Sequence, residues 1–96
     1  MKIQILKYWR VGEDKKSLIL LPSKVGLEII KKVLDDKKIS YIEGIEKIDK
    51  ASLICLVIKL NSPIKFIEYR INIVGVSLYT YMENEEKFYL RFPFEI

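Results

Sequence analysis

Three groups of side chains in this sequence have the chemistry to act on a partner or substrate. The first is one thiol, Cys55. It lies inside Leu53-Ile54-Cys55-Leu56-Val57-Ile58, where apolar neighbours favour a buried structural thiol over a reactive thiolate. The second is a pair of carboxylate sets, Glu43, Glu46 and Asp49, then Glu83, Glu85 and Glu86. Such oxygen donors suit a hard divalent cation and, with it, a metal-dependent nuclease-like enzyme. Both sets fall in polar connectors, where charge serves solvation, so neither is assigned as a metal site. The third is a set of tyrosines and arginines: Tyr8, Arg10, Tyr79, Tyr81, Tyr89 and Arg91. Rings that stack and guanidiniums that pair with anions make these the candidate binding residues, with Lys2 beside them.

Other chemistry is excluded by composition. The chain has no histidine. That removes Ser-His-Asp and Cys-His constellations, imidazole metal ligands and the commonest general base. Gly12, Gly26, Gly44 and Gly75 are scattered, so there is no glycine-rich phosphate loop. Glu13-Asp14 is turn chemistry. No catalytic residue, metal or cofactor is expected.

At 96 residues the chain has room for a single domain, residues 1–96. The lone cysteine and the absence of a secretory pattern point to a reducing, cytoplasmic setting. No apolar run approaches the roughly 20 residues of a membrane span, so no membrane partner is expected. Lys plus Arg number 17 against 13 Asp plus Glu, a net charge of +4 that permits a phosphate partner without requiring one. The Ile, Lys and Glu bias is thermophile-like.

The elements that must position these residues begin with Lys2–Trp9, a strand with Ile3, Ile5 and Trp9 on one side and Lys2, Gln4, Tyr8 and Arg10 on the other. Leu6 and Lys7 break the alternation. A solvated turn follows, and then Ser17–Leu21, a short strand or extended lead into a helix, ended by Pro22. Ser23 is placed to cap that helix, and Leu27, Ile30 and Leu34 give its apolar face. Ile39–Ile42 reads as a short strand and Glu43–Lys50 as a polar connector. The unalternating run Leu53–Ile58 reads as a central strand covered on both faces. Ser62-Pro63, with Ile64, Ile67, Ile71 and Val74, predicts a second helix over 63–74, closed by Gly75.

Val76–Met82 and Phe88–Phe94 form a hairpin around Glu83–Lys87. Placing Met82 opposite Phe88 puts Tyr81 opposite Tyr89 and Tyr79 opposite Arg91. Val76, Leu78, Met82, Phe88, Leu90, Phe92 and Phe94 then share one face, and Ser77, Tyr79, Tyr81, Tyr89 and Arg91 the other. Tyr8 and Arg10 join that second face if the first strand lies in the same sheet.

This order predicts an α+β fold: a ferredoxin-like β-α-β-β-α-β sandwich with a mostly antiparallel sheet, an extra N-terminal strand and a C-terminal hairpin strand. The layout is similar to the small ferredoxin-like families, among them amino-acid-sensing regulatory domains and small nucleases of bacterial and archaeal defence systems. Those nucleases carry an acidic residue at the end of the first strand. Here Lys7-Tyr8-Trp9-Arg10 or Leu20-Leu21 stands there, so the resemblance brings no catalytic residue with it. The expected function is a non-catalytic module that self-associates, or joins a protein complex, through its open sheet face. The alternative is nucleic-acid binding by the Tyr/Arg face, and the third reading is the metal-dependent enzyme.

Overall fold

A computed structural model describes residues 4–93. Strands β1 (Leu6–Val11), β2 (Ser17–Pro22), β3 (Ile42–Ile48) and β4 (Ala51–Lys59) form a four-stranded sheet in the order β1-β2-β4-β3. Strands β5 (Ile64–Ile71), β6 (Gly75–Met82) and β7 (Lys87–Pro93) form a three-stranded meander. Every pairing is antiparallel. Helix α1 (Leu27–Asp36) leads from β2 to β3. The fold is therefore α+β, with two sheets and one helix among the described residues. None of these is a helix long and apolar enough to cross a membrane.

One core joins the three layers. The four-stranded sheet contributes Leu18, Leu20, Leu56 and Ile58, the meander Val76, Leu78, Leu90 and Phe92, and α1 contributes Ile30 and Leu34. Burying one such side chain is worth ~1.5–3 kcal/mol, which is why these positions fix the register of every element. β4 is central, as its unbroken apolar run requires, and its other face is covered too. Cys55 is buried there with Ile19 and Leu21, and Leu53 and Val57 pack against them.

Several sequence expectations are corrected. Residues 63–74 are not a helix: Ile64–Ile71 is β5, an edge strand on β6. A register shift between Ile64 and Phe66 absorbs one residue. Beyond it, Ile67, Tyr69 and Ile71 alternate with Phe66, Glu68 and Arg70, and β-branched and aromatic residues favour the pleated edge. Ser62-Pro63 anchors a corner instead of starting a helix. The Ser62 hydroxyl accepts the Asn84 N–H, and the Pro63 carbonyl accepts the Glu83 N–H. Gly75 opens β6, and a Cβ there would run into the Phe92 carbonyl.

The expected connector 43–50 is largely β3, while residues 39–41 lie outside any strand. Ser23 is not the helix cap either. Gly26 holds that position, and the Ser23 hydroxyl accepts the Gly26 N–H one turn earlier while donating to the Gln4 and Ile5 carbonyls. A Cβ on Gly26 would collide with the Ile5 carbonyl, so the approach needs glycine. With one helix and two sheets, the strand order differs from the ferredoxin-like pattern. The first strand begins at Leu6, and the Leu6–Lys7 break in alternation is a register shift against β2. Expectations for Lys2, Ile3 and Phe94 lie outside the described residues.

Candidate functional site: an aromatic and cationic sheet face

The outer face of the meander is a three-by-three array set by strand register. Phe66, Tyr81 and Lys87 form one cross-strand row. Glu68, Tyr79 and Tyr89 form the next, and Arg70, Ser77 and Arg91 the third. On β6 and β7 the alternate residues Val76, Leu78, Leu90 and Phe92 are buried in the core, so period-two alternation separates site from core there.

The hairpin register is shifted by two residues from the sequence expectation. Tyr79, not Tyr81, faces Tyr89, and Ser77, not Tyr79, faces Arg91. The turn is tighter than assumed. The Met82 N–H donates to the Glu86 carbonyl, the Glu85 N–H to the Met82 carbonyl, and Glu85 takes a left-handed φ of 72°. A shift of two preserves the faces, so the tyrosines still share one side.

The rings are paired and roofed by cations. Phe66 and Tyr81 stack at 4.5 Å, and Tyr79 and Tyr89 approach at 4.9 Å. Arg70 lies 5.3 Å from the Tyr79 ring centre, Lys87 5.6 Å from both Tyr79 and Tyr81, and Lys37 from the end of α1 lies 5.4 Å from Tyr89. Glu68 is the carboxylate of the array. It accepts from the Tyr81 hydroxyl at 3.2 Å and meets Arg70 at 3.7 Å. Burial, then the bond to Glu68, pushes the Tyr81 phenol above its usual range. Phe66 and Tyr89 are well exposed. The arrangement can present flat ring faces and mobile cations to an extended anionic chain.

Tyr8 and Arg10 do not join this array. They lie on β1 in the other sheet, facing Leu21 and Ile19. Arg10 reaches across that sheet's outer face to Glu46 on the opposite edge strand. The bond is bidentate, Nε donating to Oε2 at 2.9 Å and Nη2 to Oε1 at 3.0 Å. The side-chain bond to Glu46 raises the Arg10 pKa, and burial, followed by the nearby Glu46 charge, pushes the Cys55 thiol up. This clasp closes over the face of β4 that carries Leu53, Cys55 and Val57. Tyr8, Arg10, Glu46 and Ile48 line a shallow depression of about 430 Å³ beside it.

A second groove, about 540 Å³, runs between the β1 and β5 edges, where Trp9 meets Tyr69 edge-on at 4.8 Å. Among the described residues no group of three or more His, Cys, Asp or Glu could hold a metal ion. Glu43 and Glu46 fall on opposite faces of β3, and Glu43 instead pairs with Lys31 at 2.8 Å. Sequence reasoning missed Phe66, Glu68, Arg70, Lys87 and Lys37. The first three were legible as alternation in Lys65-Phe66-Ile67-Glu68-Tyr69-Arg70-Ile71. Comparison with protein-family models, with curated proteins and with solved structures finds no match to the chain.

Proposed function

We propose that the protein is a non-catalytic binding module that takes a single-stranded nucleic acid across the outer face of β5, β6 and β7. One observation carries this reading: Phe66, Tyr79, Tyr81 and Tyr89 share that face with Arg70, Lys87 and Arg91 against the single carboxylate of Glu68. Bases stack on rings regardless of sequence, and the long cations swing from ring to phosphate at little cost. A protein partner for the same face has less support. The aliphatic centre such an interface needs lies on β4, under the Arg10–Glu46 clasp, in the other sheet. The unpaired thiol suits a reducing, cytoplasmic setting.

The test is fluorescence anisotropy with short labelled single-stranded RNA and DNA over a salt series. Engaging Arg70, Lys87 and Arg91 gives a slope of log affinity on log salt of about −2. Tyr79→Ala, checked for folding by circular dichroism, weakens binding by the stacking of one base, ~1–3 kcal/mol. Absence of salt-dependent binding to any oligomer refutes the reading.

A further inference from the structure

We propose that two copies of this chain join edge to edge through β3, antiparallel about a two-fold axis at Ile45. β3 is an outer strand of its sheet, and its outward backbone groups bond to no other segment among the described residues. It is seven residues long, unbroken by proline or register shift, and carries exposed isoleucine on both faces, Ile45 on one and Ile42 and Ile48 on the other. Ile45 is 64% exposed, Ile42 58% and Ile48 42%, and Ile54, which faces Ile45 from β4, is 44% exposed. A long, unbroken edge with exposed isoleucines is a template for a further strand.

The sequence of β3 says which strand fits. A two-fold axis perpendicular to the sheet keeps side chains on their own face and sets each residue opposite its mirror position about the axis. With Ile45 on the axis, Ile45 meets its own copy and Ile42 meets Ile48 of the second copy. Glu43 then faces Lys47 of the second copy, and Gly44 faces Glu46. Every pair is matched. The glycine leaves room for Glu46, whose carboxylate Arg10 already holds. Lys47 forms no ion pair among the described residues and lies free to meet Glu43, whose carboxylate also holds Lys31 of its own copy at 2.8 Å. An apolar row, Ile54 and Ile45 from each copy, runs unbroken across the joint.

Neighbouring registers fail on the same criteria. Centring on Gly44 sets Glu43 against Ile45 and Ile42 against Glu46. Centring on Glu46 sets that carboxylate against its own copy and Glu43 against Asp49. Like charges directly opposed oppose pairing. The wild-type sequence therefore specifies one register, and it is the one that uses the whole strand.

Sedimentation equilibrium of the full chain without nucleic acid, over concentrations from roughly micromolar to millimolar, tests this. A monomer–dimer equilibrium is expected. Lys47→Glu and Glu43→Lys each weaken it by about tenfold or more, because symmetry counts each swap twice. The double variant restores it to within about threefold of wild type. Ile45→Cys gives a covalent dimer on mild oxidation, since opposed Cβ atoms lie ~4.5–5.5 Å apart. Lys47→Cys does not, although Cys55 is present in both. A thermal melt confirms that each variant is folded. A monomer at all concentrations overturns the proposal. So does a dimer indifferent to the single swaps, or one the double swap fails to rescue, or equal cross-linking at 45 and 47. Because oligonucleotide is absent, these outcomes are separate from those for the aromatic face.

Discussion

Removing the Arg10 guanidinium should loosen the outer side of the four-stranded sheet, and the size of the effect follows from the geometry. Two charge-assisted bonds join Arg10 to Glu46, with side-chain exposures of 37% and 21%. Hydrogen bonds to charged groups reach about 1.5–3 kcal/mol when shielded, whereas exposed pairs give about 0.2–1. At these exposures the coupling is about 1 kcal/mol. Arg10→Met keeps an apolar stem over the sheet and loses about that much. Arg10→Ala also removes the cover and leaves the Glu46 carboxylate without its partner, for a total of about 2 kcal/mol. In a domain of this size each kcal/mol lowers the melting temperature by about 4–8 °C. Urea unfolding of wild type, Arg10→Met, Glu46→Gln and the double variant forms the thermodynamic cycle. Cys55, buried under the clasp, should be labelled faster by a thiol reagent in Arg10→Ala. A coupling below about 0.3 kcal/mol, or unchanged labelling, refutes the claim that the pair holds this face closed.

Two further outcomes are expected. The Thr80 hydroxyl is fully buried without a hydrogen-bond partner, so Thr80→Val should stabilise the fold by about 1 kcal/mol in urea unfolding. Asp14 accepts from the Ser17 hydroxyl and from the Lys16 and Ser17 N–H groups. These bonds, the Ser17 hydroxyl first, hold its pKa below the ordinary 3.8. The unfolded chain then binds the proton more readily. The contribution of Asp14 is therefore complete above 3.8 and fades as pH falls through the lower folded value. Asp14→Asn should flatten the dependence of unfolding free energy on pH across that acidic window.

What the sequence revealed depended on whether one period ruled a segment. The alternation of Val76–Met82 and Lys87–Pro93 left one arrangement of faces, and the tyrosine side followed from it. The run Leu53–Ile58 was legible as a central strand because it buries residues on both faces, Leu56 and Ile58 on one and Cys55 on the other. Ile64–Ile71 was not legible. Ile64, Ile67 and Ile71 satisfy helical spacing, and the extra residue at Lys65 hides where strand alternation begins. β3 was hidden for another reason. Its isoleucines at 42, 45 and 48 fall on alternating faces of an edge that has no core of its own, so no period marks it. The separation of Tyr8 and Arg10 from the meander was a question of which strands share a sheet, and side-chain pattern does not encode that.

The interposition of α1 and β3 between β2 and β4 also orders events along the folding route. The meander is built from successive hairpins, and β1 and β2 form another, so each closes over a few residues. The pairing of Ser17 with Lys59 must instead bring together remote parts of the chain before any of its contacts are made. That closure is the slow step, since non-local strand pairing meets its entropy cost ahead of its reward. Truncating Leu20 or Leu56 should then retard refolding, while the same change at Leu78 or Leu90 mainly hastens unfolding.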